Sequence, residues 1–172
     1  MAPADLTGGL SGIGIAPGQP RRVPLPQLSL HTPLGGLTVS EQDGAIVAVD
    51  WGWGRDQTET PLLVEAREQL QQYFDGLRTG FDLKLAPVGT AYRRRVWMAL
   101  CTIPPGETRT YGDIARVAGG SARSVGQANG ANPIPVIIPC HRVVASAGIG
   151  GYSGGDGLDT KRFLLQLEAR AA

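Results

Sequence analysis

The chain has 172 residues, 42% of them apolar, and a formal net charge of +1, which suits one medium globular domain or two small ones with a real core and no need of disulfide staples. No run approaches the ~20 apolar residues that span a bilayer, and the N-terminus lacks the basic and long apolar regions of a secretory signal, so a cytoplasmic protein without a membrane partner is expected. Cys101 and Cys140 lie far apart without a CxxC, and His31 and His141 are the only histidines, so the spacing fits a reduced thiol better than a disulfide or a zinc site; no metal and no cofactor is expected.

The small net charge hides an asymmetry. Residues 1–90 carry six basic against ten acidic side chains, net −4, and residues 91–172 carry ten against five, net +5. The second half is the one suited to a polyanion, although scatter over a solvated surface would give the same totals.

Residues 1–27 are rich in Gly and Pro, with neither secondary-structure period, and read as a flexible extension. From Leu28 the pattern becomes strand-like: Leu28 to His31, a turn at Pro33-Leu34-Gly35-Gly36, Leu37 to Ser40, Asp43-Gly44, and the run Ala45 to Trp51. An antiparallel meander is expected. Trp51 and Trp53 at its end suit either a stacking surface or a core and lid. Thr60-Pro61 has the form of an N-cap followed by proline at the first helical position, and Leu62, Leu63, Ala66, Leu70, Tyr73 and Phe74 recur at helical spacing up to Gly76. Phe81, Leu83 and Leu85 alternate like a further strand. Pro87-Val88-Gly89 divides the acidic half from the basic one, giving units at 28–88 and 89–172.

The second unit opens with a helix over Ala91 to Cys101, whose Val96, Trp97 and Leu100 form an apolar stripe; Cys101, at its end, reads as core. Thr110 with Asp113 three residues on is a capping pattern for a short helix from Tyr111 to Ala118. Gly119-Gly120 breaks it, and Ser121 caps a second helix over Ala122 to Ala131. This is the outline of a helix-turn-helix, with a generic helix pair as the alternative. The second helix is made of small residues and contains Gly126 and Gly130, each unfavourable by roughly 1 kcal/mol relative to alanine. Close approach to another surface is a reason to keep side chains short, and Arg123 is its one long charged side chain, as a helix against a narrow nucleic-acid groove would need.

The run Ile134-Pro135-Val136-Ile137-Ile138 ends at Pro139 and presents Cys140 followed by His141 and Arg142. A cysteine in such a run is either an inert small hydrophobe or a nucleophile whose proton a neighbour removes. A Gly-rich loop over Gly148 to Gly157 follows, as linker or lid. Asp159 then reads as the cap of a last helix in which Phe163, Leu164 and Leu167 face inward and Glu168 flanks them.

Pro139-Cys140-His141-Arg142-Val143, preceded by Asn132-Pro133 and by Ala122-Arg123-Ser124-Val125-Gly126, resembles the 6-O-alkylguanine-DNA alkyltransferases. The likeness runs through Val96-Trp97, Ile103-Pro104, Gly106-Glu107-Thr108, Thr110-Tyr111-Gly112, Tyr152-Ser153-Gly154-Gly155 and Lys161 to Glu168. It covers nearly all of residues 90–168, residues 28–88 in outline, and 1–27 not at all. The resemblance implies an α+β protein: a small antiparallel-sheet-plus-helix domain of ribonuclease H-like form, then a winged-helix-like helix-turn-helix domain.

It further implies direct, irreversible, single-turnover transfer of an alkyl group from 6-O-alkylguanine in double-stranded DNA, with 4-O-alkylthymine as a second candidate lesion, to Cys140. In family terms His141 is the base acting through a water, Glu168 holds its tautomer, Tyr111 protonates the departing guanine, and Asn132 braces the turn. Arg123 is the finger that fills the gap left by the flipped base. Ala122, Ser124, Gln127, Ala128 and Thr110 complete the DNA face, and Val143, Tyr152, Ser153 and Gly154 wall the pocket with Tyr111. A monomer is expected, with cooperative assembly on DNA left open. Two departures stand out: Gly119-Gly120-Ser121 is shorter than the family's usual turn, and Asp156 to Thr160 is a longer, acidic insertion. The rival readings are a non-enzymatic alkyltransferase-like module, in which the cysteine is replaced, commonly by tryptophan, and a hydrolytic cysteine enzyme, whose histidine would come from elsewhere in the chain.

Overall fold

The computed structural model describes residues 23–172; residues 1–22, and so most of the extension expected over 1–27, lie outside the described residues. Strands β1 (Gln27–Thr32), β2 (Gly35–Gln42) and β3 (Ala45–Trp51) form the expected antiparallel meander in the order β1-β2-β3. The register pairs Leu30 with Leu37 and Val39 with Val49, so the large apolar residues share one face. Helix α1 (Pro61–Phe74) covers that face with Leu63, Ala66, Leu70 and Tyr73, all buried. Thr60 caps it, its hydroxyl accepting from the Leu63 amide at 3.1 Å, with Pro61 at the first helical position. The opposite face is small and polar. Ser29 and Thr38 hydrogen-bond each other across the strands at 2.8 Å and are closed over by the Gly52 to Gln57 segment, whose Gly54 amide and Gln57 side chain both donate to the Ser29 hydroxyl.

The strand expected at Phe81 to Leu85 is reduced to one parallel bridge, Ile46 to Leu85. The physical reason is the buried Gln69 of α1. Its amide donates to the Asp82 carbonyl at 3.1 Å and its oxygen accepts from the Asp82 N–H at 2.9 Å, so a side chain satisfies main-chain groups that a ladder would have used.

In the second half, α2 (Ala91–Leu100), α3 (Tyr111–Ala118) and α4 (Ala122–Gly130) pack on one another, with a two-residue parallel pairing of β4 (Arg109–Thr110) and β5 (Val143–Val144) beside them. Both short helices begin with reciprocal capping boxes, Thr110 with Asp113 and Ser121 with Ser124. Gly119 and Gly120 between them have φ of 89° and 78°, the left-handed backbone that lets so short a turn form. The Trp97 indole donates to the Ala128 carbonyl at 2.8 Å and so pins α4 to α2. Cys101, expected in the core, is instead the exposed C-cap of α2: the buried stripe ends at Leu100 and the helix turns away one residue later.

The last helix, α5 (Leu158–Ala171), starts one residue before its expected cap. Gly157 at φ 67° is the N-cap, and Asp159 lies inside the first turn, where its charge favours the helix dipole without capping. Buried apolar side chains of both halves form one continuous cluster, and the Val49 amide of β3 donates to the Pro133 carbonyl at 2.9 Å. The architecture is thus α+β, a three-stranded antiparallel sheet with one helix followed by a helical half.

A Cβ added at Gly89 would sit 2.5 Å from the buried Trp97 ring, whereas Gly80 faces open space. Gly89→Ala is therefore expected to destabilise the protein by roughly 1–3 kcal/mol, and Gly80→Ala to stay within about 0.5 kcal/mol. Urea unfolding of the two variants measures the difference.

Candidate active site

The apolar run before Cys140 folds as a tight, fully buried loop. Val136 has φ 71°, a conformation a β-branched residue rarely takes, and Asn132 holds the loop closed around it. The Asn132 amide donates to the Ile138 carbonyl at 2.9 Å and its oxygen accepts from the Ile134 N–H at 2.9 Å. Pro139 then leads into a 3-10 turn over Cys140–Arg142. From α4, Asn129 donates to the Cys140 carbonyl at 3.2 Å. The thiol is left at the floor of a cavity of about 530 Å³, only 5% exposed. Tyr111, Gly126, Asn129, Asn132 and Pro135 wall the cavity on one side, Tyr152 to Gly154 on another, and Val49 to Trp51 of β3 close it from the first half.

Burial pushes the Cys140 thiol above its ordinary pKa, while hydrogen bonding from Asn132 and Tyr152 and the charge of Lys161 pull the other way. At neutral pH the resting sulfur is a thiol that needs a base. His141, wholly buried, stands next to it. Its Nε2 donates to Glu168 Oε1 at 2.6 Å, and its Nδ1 is buried without a hydrogen-bond partner among the described residues. Burial lowers the His141 pKa, and Arg142 and Lys161 add to that, against the opposing pull of Glu168. A neutral imidazole with its lone pair on Nδ1 results.

Glu168 is 1% exposed, and burial alone would favour its neutral form. The donors gathered on it outweigh that and hold its pKa at about 2. Arg142 donates through Nε to Oε2 at 2.9 Å and through Nη2 to Oε1 at 2.8 Å, and the Tyr73 hydroxyl donates to Oε1 at 2.7 Å. Lys161, also fully buried, donates to the carbonyls of Val143 (2.6 Å), Ile149 (2.6 Å) and Gly151 (3.0 Å), and burial lowers its pKa to about 8. It ties the Gly-rich loop to the turn that carries Cys140.

The fold brings Cys140, His141 and Glu168 together and sets Tyr111, Asn132, Tyr152, Ser153 and Gly154 around the same cavity. Burial holds the Tyr111 phenol above its ordinary pKa. Burial, and then the neighbouring Cys140 sulfur, do the same for Tyr152, whose hydroxyl has no oxygen or nitrogen partner among the described residues. Val143 does not line the cavity: it is fully buried in β5 and meets the site only through its carbonyl. On α4, Ala122, Arg123 and Gln127 are exposed, and Ser124 is half-buried with its hydroxyl on Tyr92 and Ser121. Ala128 faces inward, because the helical period places it with Val125 on the stripe packed against α2. Thr110 uses its hydroxyl as the α3 cap. Arg93, Arg94 and Arg95 on α2 and Arg116 on α3 are further exposed cations.

Lys161, Asn129 and Tyr73 of the site announce no role in the sequence. Lys161 and Asn129 sit within otherwise inward-facing helical stripes, which is the signal that could have found them, and Tyr73 is indistinguishable there from a core aromatic. Among the described residues no cluster of His, Cys, Asp and Glu could hold a metal, and no helix is long and apolar enough to cross a membrane.

Residues 28–87 match the family described as 6-O-methylguanine DNA methyltransferase, ribonuclease-like domain, and residues 91–170 its DNA binding domain. The methylated-DNA--protein-cysteine methyltransferase of Methanosarcina barkeri is 44% identical over 81% of this chain and 94% of its own. The constitutive enzyme of that name from Bacillus subtilis is 42% identical over 80% and 92%. Among solved structures, Mycobacterium tuberculosis O6-methylguanine methyltransferase matches with a TM-score of 0.75 at 39% identity, over 86% of this chain and 94% of that one. A crystal structure of the Mycobacterium tuberculosis protein in complex with DNA matches with the same TM-score of 0.75, at 40% identity over 85% and 94%. With both of its halves matched in order, the chain belongs to the 6-O-methylguanine DNA methyltransferase family.

Proposed function

We propose that the protein repairs DNA by taking the alkyl group from the 6-oxygen of an alkylated guanine onto the sulfur of Cys140, once and irreversibly. The observation that carries the reading is a buried thiol at the floor of a cavity bordered by α4, followed directly by a neutral histidine bonded to an ionised, buried carboxylate. A cysteine at this position speaks against the non-enzymatic relatives in which it is replaced.

His141 takes the thiol proton through a bridging water, using its unengaged Nδ1, and Glu168 keeps the imidazole in that tautomer. The nearby charge of Lys161 favours the thiolate. The sulfur lone pair attacks the alkyl carbon; the S–C bond forms and the C–O bond breaks, leaving the electron pair on the guanine oxygen. Tyr111, kept protonated by burial, gives its proton to that oxygen, and the proton held by His141 restores the phenol. The sum is thiol plus alkylguanine giving thioether plus guanine, with no cofactor. A thioether has no easy leaving group, so the sulfur keeps the carbon.

A thiol this deep is beyond the reach of a stacked base. Extrusion costs a few kcal/mol, and Arg123, exposed on a helix of small residues, fills the vacated stack from the minor groove. The cavity, with Tyr152 to Gly154 as one wall, is of small-ligand size. Double-stranded DNA carrying the lesion is the partner, bound by a monomer, with the exposed arginines of α2 and α3 on its phosphates.

Incubation with duplex DNA containing 6-O-methylguanine is expected to add one methyl group to Cys140, stoichiometrically; a peptide mass map that finds Cys140 unmodified and the lesion intact would sink the reading. Because the His141 pKa lies below the ordinary histidine value, the base stays neutral as pH falls through about 6.5. The single-turnover rate is therefore expected to hold there and to drop only at lower pH, which a pH series of quenched transfer reactions measures. Arg123→Ala is expected to slow repair in duplex DNA by roughly tenfold or more, the kinetic weight of one to two kcal/mol of lost help with extrusion, and to leave reaction with the free alkylated base unchanged. Equal losses on both substrates would remove Arg123 from the extrusion step.

A further inference from the structure

The carboxylate that orients His141 is held from two directions. Arg142 reaches it from within the turn that carries Cys140, as a side chain adjacent in sequence to the base. The other hold comes from the far half of the chain. Tyr73 lies in the last turn of α1, 95 positions before Glu168, and its hydroxyl donates to Oε1 at 2.7 Å, the same oxygen that accepts from His141 Nε2 at 2.6 Å. Tyr73 is buried, and its ring stands edge-on to Phe74 and tilted against Phe81, both at 5.3 Å between centroids, so hydroxyl and ring are held independently.

We propose that Tyr73 is a positioning residue for alkyl transfer: its hydroxyl fixes the Glu168 carboxylate and shares its charge, so that the sheet-and-helix half sets the basicity of the histidine serving Cys140. The inference deepens the function proposed above and rests on it. One oxygen of Glu168 serves three donors, from Tyr73, His141 and Arg142, so removing one strengthens the hold on those that remain. Without the Tyr73 hydroxyl, Oε1 carries more uncompensated negative charge, the protonated form of His141 gains, and the imidazole becomes a base that is occupied to higher pH. The other ionisable groups around the pair are Arg142 and Lys161, which both oppose a charge on His141, and Cys140 and Tyr152 on the cavity side. None of them replaces the lost donor, because Lys161 is spent on three carbonyls and Arg142 already gives Glu168 two bonds.

The test is Tyr73→Phe in the full chain, with Phe81→Leu as a partner variant that thins the packing around the same ring and leaves the hydroxyl in place. Three readouts are taken on each: the single-turnover rate at saturating methylated duplex against pH, the affinity for that duplex, and the pH dependence of Cys140 alkylation by iodoacetamide, followed by peptide mass map so that Cys101 is counted apart. Tyr73→Phe is expected to move the rising limb of both pH profiles upward by roughly one pH unit, the weight of one hydrogen bond to a charged group, to slow transfer by roughly tenfold on that limb, and to leave DNA affinity unchanged. Phe81→Leu is expected to leave both limbs in place. Unmoved limbs in Tyr73→Phe, or equal movement in the two variants, would overturn the proposal. The iodoacetamide profile needs no DNA, so it decides the role of Tyr73 even if the wild-type protein fails to take a methyl group, which would be a failure of the repair reading alone.

Discussion

The structure depends on a carboxylate that has been taken out of water without losing its charge. An ionised glutamate in a protein interior is unfavourable by several kcal/mol unless its lone pairs are filled, and Glu168 has them filled by four donors from three side chains. Those side chains belong to α1 and to the turn at Cys140, while Glu168 belongs to α5. Glu168, bonded to His141, is therefore also a junction between the first half, the Cys140 turn and the last helix. Arg142 extends the junction to the segment after α2 by donating to the Ile103 carbonyl at 2.7 Å. A single charge thus couples chemistry and architecture.

A second constraint is set by burial of the sulfur. Held as a thiol by its surroundings, Cys140 is a poor nucleophile toward whatever enters from solvent, and it becomes a good one only where a base, a compensating cation and a bound electrophile coincide. The exposed Cys101 has no such arrangement. Fixing the sulfur this closely requires a loop under strain: Val136 in the left-handed region is tolerated because Asn132 closes the loop on both sides and Asn129 holds the Cys140 carbonyl. Opposite, Lys161 ties the Gly-rich segment down, its ammonium holding the carbonyls of Ile149 and Gly151 together with that of Val143 beside the Cys140 turn.

Elements with a local chemical signal were legible in the sequence. Thr60-Pro61, Thr110 with Asp113, and Ser121 announce their helices because capping is a matter of three or four residues, and the meander follows from its turns and alternation. Cys140 and His141 were legible as a candidate acceptor and base because they are adjacent and embedded in a specific motif. What escaped was decided at a distance. Gln69 fills the main-chain groups of Asp82 and removes a strand that alternation alone suggests. Lys161 and Asn129 show in the sequence only as polar breaks in inward-facing stripes, with no sign of the carbonyls they bind, and Tyr73 meets its partner 95 positions later. Family position puts Ala128 on the DNA face and Val143 in the pocket wall, whereas the indole of Trp97 and the ammonium of Lys161 hold their carbonyls, with both side chains buried.

The two links from the first half to the acceptor region differ in kind. Tyr73 reaches Glu168 with a side chain, but Val49 reaches Pro133 with its main-chain N–H, just ahead of the loop that carries Cys140. A main-chain bond is indifferent to which side chain occupies the position, proline excepted, so this link survives nearly any drift in the composition of β3. The seating of the sheet against the acceptor loop is thereby separated from the identity of the residues that face the cavity at Val49, Asp50 and Trp51. The wall can change its chemistry while the frame stays where it is, which leaves the first half free to vary in what it presents to an incoming base without disturbing the loop beneath the sulfur.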